Sequence, residues 1–232
     1  MVLFIFAEKE EYEMILPHIE IIEENVFEND FNKFQSFNLC EYNKKKFYIA
    51  CSGVGKVNAS LYLSNICNIC PTITQIVNIG PAASIGNEKI GDYYLIKNSY
   101  YYDVDLTSLP NYKIGMLPNM SITFKTSEIL NNILQILFGN NIKYCDNATA
   151  DHFATEKDIT LIQNNFKDAK TIDMELTSYI HTAQFYKISI ASIKVISDNL
   201  TKKSNANDYK NNSLIWKTTI AKLILKILEG GK

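Results

Sequence analysis

Carboxylates gathered at the ends of apolar runs are the residues of this chain best suited to chemistry. Ala7-Glu8-Lys9-Glu10-Glu11 follows Val2 to Phe6, Ile172-Asp173-Met174-Glu175 follows a short stretch from Lys170, and Ser197-Asp198-Asn199 closes the run Ile188 to Ile196. A carboxylate at the mouth of a buried strand is partly desolvated, and its pKa can rise far enough for it to serve as a general acid. That reasoning applies most directly to Asp198. Each segment also has a purely structural reading. Acids in a helix's first turn complement the helix dipole, acids at its start cap it, and Ser-Asp pairs make turns. The residues alone leave both readings open.

Other motifs carry less. Ser52-Gly53-Val54-Gly55-Lys56-Val57 is reminiscent of a phosphate loop, but Ala50 stands where that motif needs its first Gly and Val57 where it needs Ser or Thr. Asn78-Ile79-Gly80-Pro81-Ala82-Ala83-Ser84 reads as a strand followed by a small-residue loop, which suits either a flat ligand or a tight turn. Cys67-Asn68-Ile69-Cys70 is a lone CxxC at a helix end, better suited to core packing than to zinc or redox work. His18, His152 and His181 have no metal-ligand spacing, so no metal is expected. Tyr100-Tyr101-Tyr102 reads as strand packing rather than a base-stacking platform.

The elements that must position these residues alternate between strands and helices. Strands are expected at Val2 to Phe6, Gln75 to Ile79 (ending at Gly80), Tyr93 to Ile96, Lys170 to Asp173 and Ile188 to Ile196. Helical spacing begins at Tyr12, Ile15 and Leu16 and recurs over Ser127 to Leu137, from Thr155 with Asp158, over Glu175 to Phe185, and over Asn207 to Leu228. Lys44-Lys45-Lys46 is a hairpin turn between strand-like Phe34 to Glu41 and Phe47 to Cys51. This order favours an α/β fold with a mixed, largely parallel sheet covered on both faces, in which ligands gather where strands end.

Composition bounds the function. The chain has 232 residues, long enough for its own core, and 47% hydrophobic against 21% charged residues is a globular balance. A net charge of -2 argues against a nucleic-acid partner, and no apolar run reaches the ~20 residues of a membrane span. The apolar start lacks a positive lead and the five cysteines suggest no disulfide framework, so a cytoplasmic location is expected. All 23 basic residues are lysine, so any site that would use a bidentate guanidinium must do without one.

Taken in order, the segments resemble the 5′-methylthioadenosine/S-adenosylhomocysteine nucleosidases of the nucleoside phosphorylase superfamily. The resemblance is carried by Ala7 to Glu11, Ser52 to Ala59, Asn78 to Ala82, Ile90-Gly91-Asp92, Tyr102 to Thr107, Ile172 to Glu175 and Val195 to Asp198, nearly the whole chain. It implies one domain over residues 1–232, a three-layer α/β fold with a central mixed sheet flanked by helices, a homodimer, and no cofactor. It also implies hydrolysis of the N-glycosidic bond of a small purine nucleoside. Asp198 would protonate N7 of the leaving adenine, Ser197 would orient that carboxyl, and Glu11, or Glu10 one residue before it, would hold the attacking water. Glu175 would bind the ribose hydroxyls and Met174 would pack under the ribose. Phe153 would stack on the base, with Ala82, Ala154 and Ile172 completing the binding site.

The chain departs from the family's usual pattern at Pro81 and Ala83 in the small-residue loop. It also has Asp173 for a usual Glu, Lys194 for a usual Arg and Tyr102 for a usual His, and it matches only loosely over Thr107 to Pro118, the loop that would close over a neighbouring subunit's site. The nearest rival is a nucleoside phosphorylase, with phosphate as nucleophile. Related phosphorylases generally grip phosphate with arginines, which this chain lacks, and an acidic run after the first strand would repel phosphate and suit water. A non-catalytic nucleoside-binding protein and a thiol redox protein are the rivals from other classes.

Overall fold

The computed structural model describes residues 1–25, 35–201 and 205–230. Ten strands run in chain order: β1 (Val2–Phe6), β2 (Glu20–Asn25), β3 (Ser36–Tyr42), β4 (Lys45–Cys51), β5 (Gln75–Ser84), β6 (Tyr93–Tyr101), β7 (Phe124–Lys125), β8 (Lys143–Thr149), β9 (Ala169–Asp173) and β10 (Ser189–Asn199). Six α-helices accompany them: α1 (Lys56–Ile69), α2 (Glu128–Phe138), α3 (Glu156–Asn165), α4 (Leu176–Phe185), α5 (Asn205–Asn211) and α6 (Ser213–Gly230).

All ten strands join one mixed sheet in the order β10-β6-β8-β9-β5-β1-β4-β3-β2, with β7 on β6. β10 also pairs with β5 in parallel, so the sheet closes on itself through β5, β10, β6, β8 and β9. Side-chain alternation decides what covers each face. In β1, Phe4 and Phe6 enter a cluster with Leu130 and Leu134 of α2 and Trp216 and Ile220 of α6. Leu3 and Ile5 enter the opposite cluster, with Leu63 and Ile66 of α1 and Tyr179 and Ile180 of α4. Each fully buried side chain of this size is worth ~1.5–3 kcal/mol of transfer free energy. The result is the expected three-layer α/β arrangement. Among the described residues no helix is long and apolar enough to cross a membrane.

Several elements differ from expectation, each for a local reason. The stretch after β1 forms two 3-10 turns, Lys9–Glu11 and Glu13–His18, rather than an α-helix. Pro17 lies inside the second and has no N–H to close an α turn. The β3–β4 hairpin turns at Asn43 and Lys44, both at positive φ, which suits a twisted two-residue turn, while Lys45 and Lys46 already belong to β4. Phe34, the expected start of β3, lies outside the described residues.

The expected loop after Gly80 is strand. β5 continues through Pro81, Ala82 and Ala83 to Ser84. Pro81 is tolerated because β1 pairs with β5 only as far as Asn78, and β9 joins it only from Ala83. Its missing N–H falls in the gap between those partners. β10 likewise runs past Ile196 to Asn199, with a register shift between Ile196 and Asp198. The C-terminal stretch is two helices rather than one. It breaks at Asn212, and the Trp216 indole donates to the Tyr209 carbonyl at 3.2 Å across the break.

Candidate active site

The gap that accommodates Pro81 opens into a cavity of about 210 Å³. Glu11 reaches it from the turn after β1, and Pro81, Ala82 and Ala83 form the β5 wall. Phe153 and Ala154 enter from the loop after β8, Ile172 and Asp173 from the end of β9, Met174 and Glu175 from the turn into α4, and Ser197 and Asp198 from the β10 bulge. All nine site residues expected from the sequence therefore line one cavity. The fallback, Glu10, does not. Its carboxylate is 2.7 Å from Lys217 Nζ and points away.

Asp198 is held at the base of the cavity by the bulge. A bulge puts two residues of one strand opposite one of its neighbour and re-aims their side chains. The Ser197 hydroxyl donates to Asp198 Oδ1 at 2.7 Å, and the Asp198 side chain is buried. Opposite, Glu11 Oε2 accepts the Ala7 N–H at 3.3 Å. A Cβ on Gly80 would lie 3.2 Å from that oxygen and 3.6 Å from Lys194 Nζ. A side chain there would press on the Glu11 carboxylate that lies against the strand.

Glu175 Oε1 accepts the Gly55 N–H at 2.8 Å. Gly55 has φ +95°, a backbone angle natural to glycine, at the start of α1. In the segment resembling a phosphate loop, the Gly55 and Lys56 amides are thus spent on the protein's own carboxylates. The Lys56 N–H donates to Asp151 Oδ1 at 2.7 Å, and Lys56 Nζ lies 2.6 Å from Asp103.

Asp173 is the structural member of the acidic group. Its Oδ1 accepts from Asn147 Nδ2 at 2.8 Å and Thr149 Oγ1 at 2.6 Å, while Oδ2 accepts the Leu176 N–H at 2.9 Å and meets Lys194 Nζ at 2.7 Å. It caps α4 and anchors the lysine. Glu175, two residues on, lines the cavity and accepts the Gly55 N–H.

Three buried carboxylates, Glu11, Asp173 and Glu175, therefore surround one buried lysine. The charge imbalance has a cost, which appears as retained protons. Burial raises the Glu11 pKa well above the usual range, Glu175 adds repulsion, and Lys194 offsets part of it. Burial, then the charge of Asp173, pushes Glu175 up to about 8. Carboxyls poised in this way can exchange protons near neutrality.

The Phosphorylase superfamily profile matches residues 2–229. A 5′-methylthioadenosine/S-adenosylhomocysteine nucleosidase of Buchnera aphidicola subsp. Schizaphis graminum is 33% identical over 193 residues, 81% of each chain. The chain belongs to this nucleosidase family. A Borrelia burgdorferi B31 chain assigned to the same nucleosidases and crystallised with adenine superimposes with a TM-score of 0.83 at 32% identity, covering 97% of this chain and 99% of that one. The Helicobacter pylori nucleosidase shares the fold, with a TM-score of 0.87 at 21% identity over 98% of this chain and 97% of its own.

Against the family pattern, the cavity holds three residues that sequence reasoning did not select. Tyr209 of α5 stacks on Trp216 at 5.3 Å and meets Phe153 edge-on at 6.4 Å, bracing the exposed ring of Phe153. It was hidden because the C-terminal stretch read as one continuous helix. His152 lines the wall, its Nε2 3.0 Å from Asp158 Oδ1 and 3.2 Å from the Tyr102 hydroxyl. The Thr155 and Asp158 capping signal lay in the sequence, but the histidine it holds did not. Glu8 also lines the cavity, although its acidic run had been read for Glu10 and Glu11 alone.

Proposed function

We propose that this chain hydrolyses the N-glycosidic bond of adenine nucleosides of the 5′-methylthioadenosine/S-adenosylhomocysteine type, with Asp198 as general acid and Glu11 as holder of the attacking water. The observation that carries this reading is that Asp198 and Glu11 line the same cavity, with Glu175 and Met174 also in its wall. In the reaction, Asp198 donates a proton to N7 of adenine, the C1′–N9 bond breaks, and the base leaves neutral. The sugar passes through an oxocarbenium-like state, which a nearby carboxylate stabilises. Glu11 then takes a proton from water as the oxygen bonds to C1′. Glu175 accepts hydrogen bonds from the ribose hydroxyls, Phe153 stacks on the purine, and the Ala154 backbone reads its edge.

Water rather than phosphate is the nucleophile in this reading. A phosphate dianion would meet Glu8, Glu11, Asp173 and Glu175, with no lysine among the residues that line the cavity. The wider reading has one domain over residues 1–232 and a homodimer. α1 offers Val57 and Leu61, each 66% exposed, for such a contact. Its place is the cytoplasm, which suits five free thiols. A panel of adenine and hypoxanthine nucleosides in phosphate-free buffer, read by free base, tests the proposal. Adenine release is expected; no release from any adenine nucleoside would refute it.

A further inference from the structure

Beyond Glu8 and Val54 the nucleoside cavity adjoins a second one of about 760 Å³, and Ala7, Glu8 and Val54 line both. Asp198, Ser197 and Phe153 line only the first. The junction is therefore at the end remote from the base, where Gly55, next to Val54, anchors the ribose-side carboxylate Glu175. On the nucleosidase reading, a group on the sugar's 5′ carbon would leave through this junction.

Two polar side chains there make no direct hydrogen bond or ion pair among the described residues. The Glu8 side chain is half-buried and makes no ion pair or hydrogen bond among the described residues; Lys217, whose charge it feels, is paired with Glu10 at 2.7 Å and Glu13 at 3.0 Å. Burial, then the charge of Glu10, raises the Glu8 pKa, and Lys217 offsets part of the rise. Independently, Asn38 of β3 lines the second cavity with 8% exposure, and its side-chain amide has no hydrogen-bond partner among the described residues. A polar side chain without a protein partner at a cavity wall is completed by water or by a ligand. Glu13 and Glu24 add further negative charge to the same wall.

We infer that Glu8 selects substrates by the charge of their 5′ substituent, favouring nucleosides whose 5′ group carries an ammonium over neutral ones of equal length. An ammonium at the junction gives Glu8 a direct ion-pair partner, and its chain continues toward the Asn38 amide. The inference rests on the nucleosidase reading above.

The test compares kcat/KM for 5′-(3-aminopropylthio)adenosine with that for 5′-butylthioadenosine, a pair matched in length, by adenine release. The wild-type ratio is expected to be about ten or more, the size of a charge-assisted contact. Glu8→Gln, and Glu8→Met as a second variant, should bring the ratio to about one. A wild-type ratio of one or below, or a ratio unchanged by both substitutions, overturns the inference and leaves the nucleosidase reading standing. Release of adenine from neither compound overturns both.

Discussion

The two ends of the cavity solve the burial of carboxylates in opposite ways. At the base end a single carboxylate, Asp198, sits in a strand bulge with a neighbouring hydroxyl directed at it. At the sugar end three carboxylates share one lysine, and only Asp173 has a full set of donors. The first end is fixed by covalent geometry, since Ser197 and Asp198 are adjacent. The second is held by long-range contacts from the β1 turn, β5, α1, β9 and β10. One end pairs a carboxyl with an adjacent hydroxyl, and the other crowds carboxyls around one lysine, where burial raises the pKa of Glu11 and Glu175.

If the contrast is right, substitutions at the base end should cost most. Asp198→Asn keeps the shape and removes the proton, so kcat for adenine release should fall by at least the ~10²–10⁴-fold typical of general acid catalysis. Steady-state assay checks this, and activity within tenfold of wild type would break the assignment. Glu11→Gln should cost ~10²-fold or more in kcat with a smaller change in KM, because its work is on the water rather than on substrate binding. Gly80→Ala sharpens the comparison without touching a charge. Its Cβ would press on Glu11 Oε2 from 3.2 Å, and displacing that carboxylate should lower kcat by about ten- to a hundredfold.

A smaller effect concerns stability. A glutamate normally titrates near 4.5, but folded Glu175 titrates at about 8. Between these values the unfolded chain has released a proton that the folded chain still holds, so this group makes stability fall as pH rises from about 4.5 to about 8. Glu175→Gln keeps the acceptor for Gly55 and removes the titration. Its Tm should exceed that of wild type at pH 8, and the gap should close toward pH 4.5, as thermal melts across pH would record. The smallest effect belongs to Glu10→Gln. Its exposed pairing with Lys217 is worth under ~1 kcal/mol, and kcat/KM should stay within about twofold.

Much of the base end was legible in the sequence, because it depends on local order. A nearly unbroken apolar run ending in Ser197-Asp198 marks a buried strand with a carboxylate at its mouth, and Thr155 with Asp158 announces the helix after the Phe153 loop. What could not be read was how far each strand outruns its partners. Pro81 looked like a loop residue because the gap between β1 and β9 exists only in the assembled sheet. The bulge that aims Asp198 has the same origin, arising from the register of β10 on β5. The sugar end was legible as three acidic segments, but the division of labour was not. Asp173 caps and anchors while Glu175 faces the cavity, and that depends on Asn147, Thr149 and Lys194 arriving from two other strands. Tyr209 escaped notice because helix periodicity ran across the break at Asn212.

The most direct test follows the oxygen that reaches the sugar. 5′-Methylthioadenosine is incubated with the protein in phosphate-free water enriched in heavy oxygen, and the released sugar is analysed by mass spectrometry at early times, with a no-enzyme control for exchange. One heavy oxygen at C1′ per adenine released, at a rate unchanged by added phosphate, is the predicted result. Release that requires phosphate and yields a sugar 1-phosphate would contradict the account.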